Sequence, residues 1–294
     1  MKVSIVGSGV VGQATGIGLS LNGHKVLFHD IDRDKLRCLR EKGYTTAEDV
    51  AEAVNNTEVL FVCVPTPTID EKIELKYVLD SAKKIGSALK GNKKFVVVTF
   101  RSTIPPETTR TKLLPLLEYN SGLKAGVNFG VCMNPEFLRE KTPLDDFLNP
   151  SRIIIGEFEE KSGDILEKLY SRFRCRIIRT SLETAEMIKY TSNLFLAAKI
   201  SFFNEIYMVC KELNIDSKVV SEAVSLDPRI GKYGIEGGRP FGGMCLPKDL
   251  AAFIEFADLK GLNPILLKAV EEVNQEISFY HSIKPEPRIR SKEV

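Results

Sequence analysis

KVSIVGSGVVG, residues 2–12, is a short β-branched run broken by Gly7, Gly9 and Gly12 and followed at once by a helix-forming stretch. Glycines at that spacing allow a tight turn and close backbone approach, and the N-terminus of the following helix offers N–H groups and a positive dipole end to a pyrophosphate. The next strand, HKVLFHD, ends in Asp30, 18 residues after Gly12. An acid there accepts hydrogen bonds from a ribose 2′-hydroxyl and repels a 2′-phosphate, so NAD is the expected cofactor rather than NADP. Val10 and Val11 belong to the same turn. Lys35 is either a second contact to the adenosine ribose or a solvated helix lysine.

Outward from that turn, apolar runs alternate with longer periodic segments. The candidate strands are KVSIVG, HKVLFHD, EVLFVCV, KFVVVTF, NFGVCM, SRIIIG and CRIIRT. Helices are predicted over Val11 to Asn22, Asp32 to Lys42, Lys76 to Leu89, Pro106 to Glu118 and Lys161 to Phe173. Right-handed crossovers then build a Rossmann-type, doubly wound parallel sheet over residues 1–180. From about Leu182 the strand-like runs stop. Leu182 to Leu213, Asp216 to Val224, Lys248 to Lys260 and Pro264 to Ser282 read as helices, giving an all-helical domain over 181–282. Asp227 to Pro247 interrupts it with six glycines and three prolines, a loop of the length that carries function in compact domains. Residues 283–294, proline-punctuated and charged, read as a flexible tail.

Composition narrows the function classes. With 43% hydrophobic and 27% charged residues over 294 positions, the chain has the balance of a globular protein of two domains. Forty-one basic residues against 39 acidic ones leave a net charge of +2, no electrostatic reason to expect a nucleic acid partner. The start MKVSIVGSG lacks the layout of a secretory signal and no run reaches membrane-span length. The six cysteines are scattered without a CxxC pair, which indicates neither a disulfide framework nor a metal site and fits a cytoplasmic location. Cys63, Cys132 and Cys175 sit in apolar strand-like runs as small hydrophobes.

Ligands of open parallel sheets sit beyond the carboxyl ends of the strands. There the chain places Pro65-Thr66-Pro67-Thr68 and Arg101-Ser102-Thr103-Ile104-Pro105, either hydroxyls for the cofactor or plain caps and turns. In the helical region Lys189 and Asn193 stand i,i+4 on one face. They either hold an alcohol oxygen and stabilise its alkoxide, or form a surface Glu186–Lys189 pair beside a solvated Asn. In FGGMCLPKD, Cys245 opens a helix with Lys248 and Asp249 close behind. Those surroundings favour a thiolate, and the alternative is an inert cysteine in a turn.

These residues together resemble the UDP-glucose/GDP-mannose dehydrogenase family, NAD enzymes that oxidise the C6 alcohol of a nucleotide sugar to a carboxylate. The resemblance runs from Met1 to about Ser282 through GSGVVG, VPTPT, RSTIP, NPEFLRE with NPSRIIIG, AEMIKYTSN, DPRIG and FGGMCLPKD. It implies that Cys245 captures an aldehyde as a thiohemiacetal, later a thioester. It implies that Lys189 and Asn193 steady oxyanions and contact substrate, that Glu136 serves as base or orients water, that Asp249 assists hydrolysis and that Thr103 helps hold the water. Pro65, Thr66, Thr103, Glu140 and Lys248 then join the cofactor contacts. Phe137, Leu138, Phe241, Gly242 and Gly243 would meet the sugar. Arg229 would reach the neighbouring subunit's sugar, implying a homodimer through the long helix.

The sequence also departs from the family. Relatives continue into a third α/β domain that holds the nucleotide, and the acidic loop after the second strand is shorter here, Gly43 to Val50 passing directly toward the third strand. A shortened form, a separate third-domain protein or a natural short enzyme would each account for the length. Two other functions compete: a two-electron β-hydroxyacid-type dehydrogenase, which has no need of the cysteine loop, and a non-catalytic NAD-binding module, which has no need of Cys245, Lys189, Asn193, Glu136 and Asp249 together.

Overall fold

The computed structural model describes residues 1–69 and 72–283 and divides into two compact units, the first ending at Lys189 and the second beginning at Tyr190. In the first, an eight-stranded sheet carries β1 (Lys2–Val6), β2 (Lys25–His29), β3 (Thr45–Thr46), β4 (Val59–Val62), β5 (Val97–Phe100), β6 (Gly130–Met133), β7 (Arg152–Glu157) and β8 (Arg176–Ser181). Their spatial order is β8-β7-β6-β5-β4-β1-β2-β3. All seven strands read from the sequence are present. The helices are α1 (Val10–Leu21), α2 (Arg33–Glu41), α3 (Val50–Asn55), α4 (Lys76–Leu89), α5 (Leu114–Ser121), α6 (Pro143–Leu148) and α7 (Glu160–Leu169).

Period-two alternation sends each strand's side chains to two separate cores. Val3, Ile5, Val59 and Phe61 pack with Leu19, Leu39, Phe147, Leu166 and Leu169 on the face of α1, α2, α6 and α7. Val6, Leu60, Val62, Val98 and Phe100 pack with Val54, Val78, Ala82, Ile85 and Leu117 on the face of α3, α4 and α5. Burial on both sides is why these strands read as continuous apolar runs.

One pairing refines the parallel-sheet expectation: β6 and β7 run antiparallel, while β7 and β8 are parallel to each other. A parallel neighbour requires a return crossover across the sheet face. The 18 residues between Met133 and Arg152 instead form a loop and the six-residue α6, and the chain re-enters the sheet from the end it left. The short β3 and α3 escaped the sequence reading, since Thr45–Thr46 has no alternation to display and Val50–Asn55 spans under two turns. Both occupy the Gly43 to Val50 region and its sequel.

The helix α8 (Leu182–Glu212) runs 31 residues; its first two turns belong to the first unit. The second unit holds the rest of α8 with α9 (Ser217–Ser225), α10 (Leu246–Leu259) and α11 (Ile265–Ile283). Ser201 Oγ donates to Val270 O at 2.8 Å and ties α8 to α11. Asn204 Nδ2 donates to Arg239 O at 2.9 Å, and Asn204 Oδ1 accepts from Gly238 N at 2.8 Å. Asn274 on α11 brackets Phe241 through both its N–H, at 2.7 Å, and its C=O, at 3.2 Å. The glycine-rich loop is therefore held by side-chain amides where it has no ladder of its own. Among the described residues no helix is long and apolar enough to cross a membrane and no acid, His and Cys group could hold a metal. The expected tail from Lys284 on lies outside the described residues.

Candidate active site

The glycines of the first turn have distinct tasks. Gly7 has φ +94°, and a Cβ there would lie 2.8 Å from the backbone of Cys63; a Cβ on Gly12 would lie 1.9 Å from Gly7 O. These two are required by packing within the turn. Gly9 has open space around it, and it precedes α1 without any side-chain cap on the first N–H groups. Uncapped donors beside empty space fit a pyrophosphate, and Val10, at the first helical position, is exposed beside it. Val11 is half-buried.

Asp30 is buried, its Oδ2 accepting from Ser8 N at 2.6 Å and its Oδ1 from Asp32 N at 2.9 Å. The acid thus fixes the turn as well as presenting its remaining lone pairs. Lys35 Nζ stands 3.9 Å from Asp30 and 3.7 Å from Asp32, beside the proposed ribose position but largely solvated. Thr66 Oγ1 donates to Thr103 O at 2.7 Å and Ser102 Oγ to Val64 O at 2.6 Å. These hydroxyls knit the loops after β4 and β5 together, so for Thr66 the turn-and-cap reading has a concrete bond. Pro65 is exposed and Thr103 half-buried.

The NPEF segment follows β6. Asn134 is buried; its Nδ2 donates to Ile154 O at 2.7 Å, and its Oδ1 accepts from Tyr170 Oη at 2.7 Å and from Arg101. Two residues on, Glu136 Oε2 accepts from Leu138 N at 2.6 Å and Oε1 from Lys189 Nζ at 2.8 Å. Burial alone would raise the Glu136 carboxyl, but the charge and hydrogen bond of Lys189, the Leu138 N–H and the charge of Arg101 outweigh it and hold the group below its ordinary value. A buried carboxylate and a buried ammonium therefore face each other as ions. Arg152 lies over the Phe137 ring at 3.9 Å. Glu140 is exposed.

The structure excludes the surface Glu186–Lys189 pair. Glu186 is buried and turned to Thr109, accepting from its N–H at 2.8 Å and its hydroxyl at 2.6 Å. Burial pushes the Glu186 carboxyl up to about 7 against those two bonds. Thr109 opens a π-helical turn over Thr109–Leu113 that leads into α5.

In the second unit Asn193 Nδ2 donates to Asp249 Oδ2 at 2.5 Å, and Lys248 Nζ to Asp249 Oδ1 at 2.6 Å. Asp249, only 1% exposed, thus has both oxygens engaged. Asn193 is buried too, not solvated. Cys245 is the exposed residue preceding α10, and Asp249 N donates to its carbonyl at 2.9 Å. Phe241 is buried, Gly242 and Gly243 are exposed, and Gly243 has φ +77°. Arg229 is exposed and paired with Asp227 at 2.6 Å. Sequence reasoning assigns no site role to Ser8, Arg101, Asn134 or Glu186, although Ser8 lies within GSGVVG, Arg101 opens RSTIP, Asn134 opens NPEFLRE and Glu186 enters only as a surface partner for Lys189.

The chain is similar to known proteins. The NAD binding domain of the UDP-glucose/GDP-mannose dehydrogenase family matches residues 36–174 and its central domain residues 183–276. The GDP-mannose 6-dehydrogenase of Pseudomonas syringae pv. syringae is 37% identical over 93% of this chain and 68% of its own length. The UDP-glucose 6-dehydrogenase TuaD of Bacillus subtilis is 35% identical over 94% and 63%. A UDP-glucose dehydrogenase from Pyrobaculum islandicum superposes with a TM-score of 0.87 at 35% identity, covering 93% of this chain and 68% of that one. A GDP-mannose dehydrogenase from Pseudomonas aeruginosa gives 0.75 at 34%, covering 96% and 71%. The chain accordingly carries an NAD binding domain, and it belongs to the UDP-glucose/GDP-mannose dehydrogenase family.

Proposed function

We propose that the chain oxidises the C6 alcohol of a nucleotide sugar to the uronic acid in the cytoplasm, through a thioester on Cys245. NAD, when bound, supplies the two-electron acceptor, used twice per substrate. The observation that carries the reading is the exposed Cys245 thiol at the start of α10, one helical turn from a buried Asp249 that is bonded to Asn193.

The residues divide the work. Glu136, ionised by Lys189, takes the alcohol proton directly or through water, and the Lys189 ammonium stabilises the oxygen as it gains negative charge. The Cys245 sulfur adds to the aldehyde carbon, and its S–C bond holds that carbon in place until the thioester forms. Asn193 donates to the tetrahedral oxygen from a side chain that Asp249 has already oriented. Water held by Thr103 and Glu136 then breaks the S–C bond, returning the thiol and releasing the carboxylate. Phe137, Leu138, Phe241, Gly242 and Gly243 contact the sugar, and Asp30, Lys35, Glu140 and Lys248 contact the cofactor.

A homodimer through α8 goes with this function. Phe195, Phe202 and Val209 recur every seven residues on α8, and each is at least half exposed, the spacing of a helix seam awaiting a partner. The exposed Arg229 is then available to the neighbouring subunit's sugar.

The test is a panel of UDP-glucose, GDP-mannose and N-acetylated UDP-sugars, with and without a candidate third-domain protein. Wild-type protein should release two NADH per uronic acid formed, and Cys245→Ser should lose the second oxidation. Two NADH per substrate from Cys245→Ser would end the thioester scheme. No NADH from any sugar under either condition would end the catalytic reading.

A further inference from the structure

In the first unit a cavity of about 300 Å³ opens beside the NPEF segment. Its walls are aromatic, with Phe137, Phe147, Tyr170 and Phe173 among them, and the Arg101 side chain forms part of its lining. Three charged groups of the lining are already paired, Arg139 with Asp146 at 2.6 Å and Glu136 with Lys189 at 2.8 Å, and a fourth, Arg152, lies over the Phe137 ring at 3.9 Å. Arg101 differs. It is 5% exposed, and its hydrogen-bond partners are neutral: Asn134 O at 3.2 Å, Asn134 Oδ1 and the Tyr170 hydroxyl. Its Nε is buried with no acceptor at all.

A buried guanidinium without a carboxylate is costly. The Phe61 and Phe147 rings, at 6.0 and 5.5 Å, offset part of that cost as cation–π neighbours. Glu136 is close enough to feel the charge, but its oxygens are committed to Lys189 and Leu138. Arg101, Lys189 and Glu136 thus form a buried group with one positive charge in excess. An anion in the cavity would balance it, and the planar fork of arginine suits a carboxylate or a phosphate. At about 30 Å³ per water, the space holds roughly ten heavy atoms.

We propose that this cavity binds a small oxyanion, an organic carboxylate or a phosphate, through Arg101 and the aromatic walls. The cavity shares Glu136, Phe137 and Leu138 with the sugar contacts proposed above and so borders that site, but the proposal needs neither Cys245 nor a nucleotide sugar, and the NAD turn stays available to its own ligand. An anion held there would also reduce the pull of Arg101 on Glu136.

The experiment is a thermal-shift titration of the full chain in saturating NAD, which fills the glycine turn, with benzoate, inorganic phosphate and the neutral isostere benzamide. Saturable stabilisation by benzoate or phosphate is expected, with benzamide at least roughly tenfold weaker, because removing the charge removes a charge-assisted hydrogen bond. Benzoate ahead of phosphate points to an organic acid, and the reverse order to a free phosphate or phosphoryl group. Arg101→Gln should abolish the shift while NAD affinity stays within about twofold. Arg101→Lys, which keeps the charge and loses the fork, should weaken it roughly threefold and serves if the Gln variant does not fold. Benzamide matching benzoate, no saturable shift from either anion, or competition between benzoate and NAD would each overturn the proposal. None of these outcomes depends on turnover, so the dehydrogenase reading stands or falls separately.

Discussion

Lys189 Nζ and Glu136 Oε1 stand 2.8 Å apart, and both side chains are buried. One lies on the second turn of α8 and the other is the third residue after β6, so a single ion pair joins segments 53 positions apart. The Glu136 carboxyl depends on Lys189 to remain charged out of water. The pair is therefore a structural commitment as well as a chemical resource.

Removing one partner should be much worse than removing both. Lys189→Met leaves a buried carboxylate without its cation and should cost about 3 kcal/mol of stability at pH 7, whereas Lys189→Met with Glu136→Gln should recover most of it. The carboxyl of Glu136 is held below 4.5 in the fold. Its contribution is thus complete above that value and is lost as the pH falls through the lower folded value. Urea titrations at pH 7 and pH 3 check both statements: the penalty of Lys189→Met should shrink in acid, and an undiminished penalty would mean that the pair is not ionic.

Glu186, three residues earlier on the same helix, should show the opposite dependence. Its carboxyl rises from 4.5 to about 7 on folding, so between those values the folded state holds a proton that the unfolded chain has released. Stability should fall as the pH rises through that window, by up to roughly 3 kcal/mol. Glu186→Gln keeps an oxygen for the Thr109 N–H and hydroxyl while removing the charge, and it should flatten the slope. A slope unchanged in that variant would assign the effect to another group.

The contrast between these two acids marks how far the sequence could be read. Strands such as Val59–Val62, buried on both faces, announce themselves by composition, and helix boundaries such as Lys76–Leu89 follow from an unbroken 3.6-residue period. The Gly7 to Gly12 turn was legible because its strand, glycines and helix lie within a dozen residues. Glu186 and Lys189 looked like a helical surface pair because i,i+3 spacing is all that a sequence displays. What separates them is the tertiary placement of Thr109 and Glu136, 77 and 53 residues away. Arg101 was hidden for a related reason: nothing local tells a buried arginine from a solvated one. The antiparallel β7 was equally silent, since strand direction is set by the route of the connection.

Asp249 should behave as an orienting group before it behaves as a chemical one. Its two oxygens hold Asn193 and Lys248, and its carboxylate is almost inaccessible. Asp249→Ala strands a buried amide and should cost about 2 kcal/mol. Asp249→Asn retains an acceptor and the size, and it should cost less than half as much. Calorimetric melts of the two variants separate these outcomes, and equal losses would mean that the bond to Asn193 contributes little.

The three glycines of the turn between β1 and α1 provide the sharpest separation of folding from binding. Alanine at Gly12 would put a methyl carbon 1.9 Å from Gly7 O, and alanine at Gly7 would add a left-handed φ to a backbone contact of 2.8 Å. Either should destabilise the first unit by about 2 kcal/mol or more. Alanine at Gly9 meets nothing within 4 Å, so its melting temperature should match the wild type. The methyl group would nevertheless occupy the space above the uncapped start of α1, and NAD affinity should fall roughly tenfold or more, a loss of about 1.4 kcal/mol. Melting curves with isothermal NAD titrations on Gly7→Ala, Gly9→Ala and Gly12→Ala distinguish the roles. A Gly9→Ala variant that melts early, or that binds NAD as the wild type does, would mean that the pyrophosphate does not approach the turn at this residue.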